Sequence, residues 1–202
     1  MHAGSQLLPI GAAACFIASG LVLLRAHFLP TGLNWQVDAV SDYGTGAHHR
    51  YYRAMVLLLG AGAGLLLAGL ARDTEAEDVG LVFLGVYAAA RLAIAFFMTD
   101  LPGREPSTEG RVHLVLASLA FTSIAFASVH LTSDLTDTPG WTGDVAGWLR
   151  FQASAVVVTA VLTLASFVIP AARERIFGLI ERCLYVASLA WLITTALHLA
   201  SL

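Results

Sequence analysis

The 202-residue chain combines 57% apolar residues with only 12% charged residues and a net charge of -3. Its mean hydropathy is +0.75. This composition excludes an ordinary water-soluble domain and indicates an integral membrane protein. The partner that it predicts is the lipid bilayer, and we expect no nucleic-acid partner.

Long apolar segments follow one another along the chain, interrupted by short polar connections. A spanning helix needs roughly 20 mostly apolar residues. With approximate edges, we predict helices at 6-29, 50-71, 79-99, 110-133, 146-170 and 174-201. The predicted fold is therefore all-α, a polytopic membrane protein in which residues 1-202 form a single bundle of six transmembrane helices.

The orientation follows from the arginines, since the chain contains no lysine. Most arginines lie in or beside the first, third and fifth connections: Arg25, Arg50, Arg53, Arg104, Arg111, Arg173 and Arg175. The positive-inside rule places these connections in the cytoplasm and both termini outside. We expect a multi-pass protein of the cell membrane with a cytoplasmic Ser41-Asp42 loop.

Arg91 is the charged residue of the third predicted helix. An ionised side chain inside a spanning helix costs at least roughly 2.5 kcal/mol unless it reaches water or a partner. Arg91 lies roughly 12 Å from the cytoplasmic end of its helix, and Glu181 lies roughly 10 Å into the sixth helix. The matching depths predict an Arg91-Glu181 ion pair, a structural staple or a relay, with Arg182 pointing elsewhere or joining a network.

Further polar residues reach the same cytoplasmic level from other segments. They are Ser41 and Asp42 of the first connection, Asp100 at the end of "FFMTD", and His113 about one turn into the fourth helix. Each residue alone has a structural interpretation, such as a cap, a turn or an interfacial hydrogen bond. Their convergence makes Ser41, Asp42, Asp100 and His113 candidate catalytic residues of a site at the cytoplasmic side.

Four short motifs support a family resemblance. They are "SDYG" (41-44), "FFMTD" (96-100), "GRVH" (110-113) and "GLIERCLYVASLAW" (178-191). In order and placement they resemble the uncharacterised bacterial membrane-protein family called domain of unknown function 998, over essentially the whole chain. Tyr43 stands where the family pattern more often has leucine. The resemblance implies the fold and the membrane location and supplies no established activity.

Three functions stay open, and the first is a membrane-embedded hydrolase acting on a lipid-like substrate. In this hypothesis Asp42, Asp100 and His113 hold a divalent metal and leave one position for water, whose pKa the metal lowers. Ser41 then orients a ligand or substrate oxygen. His48 and His49 are interpreted as solvated or headgroup-facing and stand outside this set.

The second function is a carrier or binding protein for protons or a hydrophobic small molecule, with Arg91, Glu181 and Asp100 as a relay. The third is a non-catalytic scaffold, in which Gly60-x-x-x-Gly64 permits close helix approach for folding or dimerisation. The oligomeric state stays open. A haem pair is disfavoured, because His113 and His130 point roughly 100° apart around one helix.

Overall fold

A computed structural model describes residues 6–74, 76–101 and 105–202. Within these ranges the chain is helical and contains no strand, so the all-α prediction is confirmed. The helices are α1 (Leu7–His27), α2 (His49–Asp73), α3 (Asp78–Ile94), α4 (Thr108–Thr136), α5 (Asp144–Val168), α6 (Pro170–Arg173) and α7 (Phe177–Ser201). Two 3₁₀ turns, Val40–Gly44 and Gly46–His48, lie between α1 and α2. Arg104 lies outside the described residues.

The six long helices form a ring in chain order. Each helix from α1 to α5 packs against the next, and α7 packs against both α5 and α1. The short helix α6 turns the chain between α5 and α7 and begins at Pro170, a position where the missing N–H of proline has no helical partner to lose. The interior of the ring holds large buried side chains such as Phe16, Leu84 and Trp191.

Large apolar side chains also cover the outside of the ring. Exposed examples are Leu21, Val82, Val115, Val161 and Val186. Such a surface matches the hydrocarbon of a bilayer rather than water. Five helices (α1, α2, α4, α5 and α7) are long and apolar enough to cross a membrane. The chain is therefore a multi-pass membrane protein.

Helix α3 is shorter than predicted, because it ends at Ile94 rather than near residue 99. Its 17 residues cover about 25 Å, less than the roughly 30 Å of a hydrocarbon core. Side chains of α2 and α4 bond the backbone that follows: Arg53 Nε donates to Ala95 O (2.9 Å), His113 Nδ1 to Phe97 O (2.9 Å), and Glu109 Oε1 accepts from the Met98 N–H (2.7 Å). These bonds replace helical ones, so the helix stops and Arg91 lies in its last turn.

The connection between α1 and α2 folds back onto the first turn of α7. The N–H groups of Gly178 and Leu179 donate to Val37 O (3.2 Å) and Gln36 O (3.0 Å). A Cβ at Gly178 would collide with the Asp38 carbonyl, so this close approach requires glycine. The connection is thereby held across one end of the ring. This end, which also carries residues 95–101 and α6, is called the loop end.

Gly60 and Gly64 have different surroundings although they form one small-residue motif. A Cβ at Gly60 would lie 2.6 Å from Leu92 Cγ and 3.0 Å from the Ala88 carbonyl oxygen. Nothing lies within 4 Å of a Cβ placed at Gly64. Gly60 therefore permits the close packing of α2 on α3 inside the ring.

We expect Gly60→Ala to destabilise the protein by about 1–3 kcal/mol, because the added methyl group overpacks the contact with α3. Gly64→Ala is the matched control, with a neutral effect or a gain of up to about 1 kcal/mol from helix propensity. Thermal unfolding in detergent compares the two variants. Equal losses of stability in both would contradict this packing.

Candidate functional site

A cavity of about 900 Å³ lies at the loop end of the ring. Its walls come from the Val40–Gly44 turn, the end of α3, the first half of α4, the end of α5 and the start of α7. Six residues that the sequence singled out line this one cavity: Ser41, Asp42, Arg91, Asp100, His113 and Glu181. The seventh, Arg182, is not part of the lining.

One wall of the cavity is apolar and belongs to α4 and α5. Leu114 and Ala117 contribute from α4, and Leu164 and Val168 contribute from α5. Leu114 and Val168 are 42% and 77% exposed. This wall of the cavity, where α4 packs against α5, is therefore open rather than enclosed.

Arg91 lies at the buried end of the cavity and is only 3% exposed. Its guanidinium carbon is 5.0–5.2 Å from the ring centres of Tyr87, Phe121 and Tyr185, which is the range of cation–π attraction. Nη1 donates to Tyr185 Oη at 2.9 Å. Nε is buried and has no hydrogen-bond partner among the residues that the structure describes.

The expected Arg91–Glu181 ion pair is wrong as a direct contact. Both residues belong to the described part of the chain, and they form no ion pair within 4.0 Å. Glu181 Oε2 instead accepts a hydrogen bond of 2.7 Å from the Val40 N–H. Arg91 and Glu181 lie at matching depths and line the same cavity. Depth does not determine the direction in which a side chain points around its helix.

Arg182 belongs to the attachment of the α1–α2 connection rather than to the cavity. Its Nε donates to His27 Nε2, and its Nη1 donates to the carbonyl oxygens of Asp38 and Gly178, each at 2.8 Å. Nη2 lies 3.4 Å from Tyr43 Oη. Arg182 therefore joins α1, the connection and α7, and it points away from Arg91.

Asp42 is buried beside Ser41 in the Val40–Gly44 turn. Burial, together with the neighbouring Asp38, raises the pKa of its carboxyl from 3.8 to about 6, although the Ala39 N–H and Arg182 oppose the shift. The Ala39 N–H donates to Asp42 Oδ2 at 2.9 Å. Asp42 is thus an acid–base group that changes protonation near neutral pH.

Asp100 holds the start of α4. Its two carboxylate oxygens accept from the N–H and the Oγ of Ser107, at 2.8 and 2.7 Å, and Ser107 Oγ in turn caps α4 by accepting from the Gly110 N–H. A Cβ at Gly110 would collide with the Asp100 carboxylate. The glycine of "GRVH" is therefore needed to seat this carboxylate against the helix.

His113 connects α4 to the segment after α3. Its Nδ1 lies 2.9 Å from the Phe97 carbonyl oxygen. A carbonyl only accepts, so Nδ1 carries the proton and Nε2 is the acceptor of the neutral ring. The ring centre lies 6.0 Å from that of Tyr52, which also lines the cavity.

The three residues proposed as metal ligands do not form a ligand set. Across residues 6–74, 76–101 and 105–202, no group of three or more His, Cys, Asp or Glu side chains is placed to hold a metal ion. Asp42 caps its own turn, Asp100 caps α4 and His113 Nδ1 binds a carbonyl. These separate local bonds keep the side chains apart, so the residues present do not fit a metal site.

The tyrosines of the site were missed by the sequence analysis. Tyr185 and Tyr52 line the cavity, and Tyr87 borders Arg91. A signal was available for Tyr185, because it follows Glu181 by one helical turn and so shares its face. Tyr87 likewise precedes Arg91 by four residues on α3.

The fold and the site define a multi-pass helical membrane protein with a polar cavity at one end of the helix ring. The family model described as "Protein of unknown function (DUF998)" matches residues 10–198, and the chain belongs to this family. The resemblance carried by the four motifs is therefore confirmed. Comparisons with curated proteins and with solved structures found no match.

Proposed function

We propose that the protein binds a lipid-like amphiphile in the cavity at the loop end. The observation that carries this proposal is a single cavity that joins buried charged side chains to an apolar, exposed wall on α4 and α5. The head of the ligand lies among Asp42, Arg91 and Glu181. Its chains lie along the α4–α5 wall and extend into the membrane.

The size of the cavity supports a ligand of this kind. Its volume of about 900 Å³ lies within the roughly 300–1,000 Å³ of known ligand pockets. A purely structural scaffold needs no cavity of this size. Gly60, whose motif the scaffold hypothesis assigned to folding or dimerisation, packs inside the ring against Leu92.

A cavity-filling substitution on the apolar wall tests the binding directly. We expect Ala117→Phe to weaken the binding of a fluorescent phospholipid by about tenfold or more, because the ring occupies the space of the lipid chain. Val115→Phe, on the exposed side of the same helix, is the control and keeps wild-type affinity. Titration of the purified protein in non-ionic detergent measures both. Wild-type affinity in Ala117→Phe would contradict the proposal.

We also propose a topology of six crossings in the cell membrane, with the loop end in the cytoplasm and both termini outside. Residues 95–98, which follow the end of α3, are apolar, and we propose that they cover the remaining thickness of the bilayer. The arginines support this orientation, since Arg50, Arg53 and Arg173 belong to the loop end and few lie at the opposite end.

Cysteine labelling of intact cells checks this orientation. Both native cysteines are first replaced by alanine. A membrane-impermeant maleimide is then expected to label Asp137→Cys at the opposite end and to spare Thr45→Cys until the membrane is opened. The reverse pattern would invert the topology, and labelling of both before opening would contradict six crossings.

A hydrolase is the second candidate function, and the pKa of Asp42 of about 6 favours it. Ionised Asp42 takes a proton from water, and the water oxygen bonds to the carbonyl carbon of a bound ester. The ester C–O bond then breaks, and the proton passes from Asp42 to the leaving alkoxide. The products are a fatty acid and an alcohol.

The pH dependence of lipid-ester cleavage tests this candidate. Because the base must be ionised, we expect the rate to rise about tenfold between pH 5 and pH 7. Asp42→Asn lowers the rate by about 10²–10⁴-fold, while Asp137→Asn at the opposite end leaves it unchanged. Released fatty acid is the readout. Absence of product, or the same pH profile in Asp42→Asn, would exclude Asp42 as the base.

A further inference from the structure

Arg91 is a buried cation. Its charge is faced by three aromatic rings and by the hydroxyls of Tyr185 and Tyr87. Within the described part of the chain, no acidic oxygen lies within 4.0 Å of it. The aromatic faces attract the charge but do not accept the remaining N–H groups in the way an oxyanion does.

The Nε–H group of Arg91 indicates where an anion would bind. Tyr185 occupies Nη1, while Nε is buried and unpaired. Nε and Nη2 form the side-on edge of a guanidinium, and this edge matches the two oxygens of a phosphate or carboxylate. Since Arg91 lines the cavity, an oxyanion in the cavity would complete its hydrogen bonding.

Five carboxylates and three arginines line the cavity. Two of the carboxylates, Asp42 and Glu181, are buried, and each accepts one backbone N–H. A head with several negative charges would be repelled by the acidic lining. A head with a single negative charge, together with hydroxyl or ammonium donors for Asp42 and Glu181, fits the buried part of the cavity.

We propose that Arg91 is the anion-binding residue of the cavity and that its ligand is a phospholipid-like amphiphile with a singly charged phosphodiester head. This inference rests on the proposed lipid-binding function and names its ligand class. The phosphate binds the Nε edge of Arg91, the donors of the head bind Asp42 and Glu181, and the acyl chains leave between α4 and α5.

Competition binding with the full-length protein in non-ionic detergent tests the inference. A fluorescent phosphatidylglycerol is displaced by unlabelled phosphatidylglycerol, by diacylglycerol with the same chains, or by inorganic phosphate. We expect phosphatidylglycerol to bind at least about tenfold more tightly than diacylglycerol, because the latter lacks the oxyanion. We expect inorganic phosphate not to compete at lipid concentrations.

Two substitutions assign the preference to Arg91. Arg91→Gln removes the charge, and Arg91→Lys keeps a cation against the aromatic rings but lacks the side-on edge. We expect both to lose most of the preference for phosphatidylglycerol while diacylglycerol still binds. If Arg91→Gln does not fold, the affinities of Arg91→Lys for the two lipids test whether Arg91 causes the preference. Arg25→Gln, which alters an exposed arginine outside the cavity lining, is the control and keeps the preference.

The outcomes separate the two proposals. If Arg91→Lys prefers phosphatidylglycerol over diacylglycerol as strongly as the wild type does, the anion site is overturned while lipid binding remains. Equal affinities of the wild type for these two lipids would have the same meaning. Displacement by inorganic phosphate alone would retain the anion site and overturn the amphiphile. Failure of every lipid to bind the wild type would overturn the proposed function itself.

Discussion

The attachment of the α1–α2 connection to the first turns of α7 is the contact on which the site depends. Glu181 accepts a hydrogen bond from the Val40 N–H, and Gly178 permits close contact with the backbone at Asp38. Arg182 donates to two carbonyl oxygens and to His27. These bonds hold the Val40–Gly44 turn over the end of the ring. Without them, Asp42 would belong to a solvated loop, and the cavity would lack one wall.

Within the described part of the chain, the buried charges of the loop end are stabilised separately rather than in pairs. Arg91 lies among aromatic rings, Glu181 accepts the Val40 N–H, and Asp42 accepts the Ala39 N–H. In a direct Arg91–Glu181 ion pair, each charge would satisfy the other, and neither would need a ligand as a hydrogen-bond partner. Their separation keeps a donor and two acceptors facing one space, which is the arrangement that a polar head recognises.

The helices and the membrane setting were predictable because long apolar runs have few structural solutions in a bilayer. Except for α3, each long helix begins and ends within three residues of its predicted bounds. The end of α3 was not predictable, since it depends on bonds from Arg53, Glu109 and His113 on other helices. The convergence of Ser41, Asp42, Asp100 and His113 on one cavity was anticipated from depth along the helices. Their exact partners were not, because depth contains no information about direction around a helix.

We propose that the cavity holds an amphiphile whose head lies at Arg91. A cryo-electron microscopy map of the full chain in lipid nanodiscs, at a resolution that separates lipid chains, would show such a ligand. We expect elongated density that begins beside the Arg91 guanidinium and leaves the ring between α4 and α5. A cavity closed by side chains, or lipid density confined to the outer surface of the ring, would contradict it.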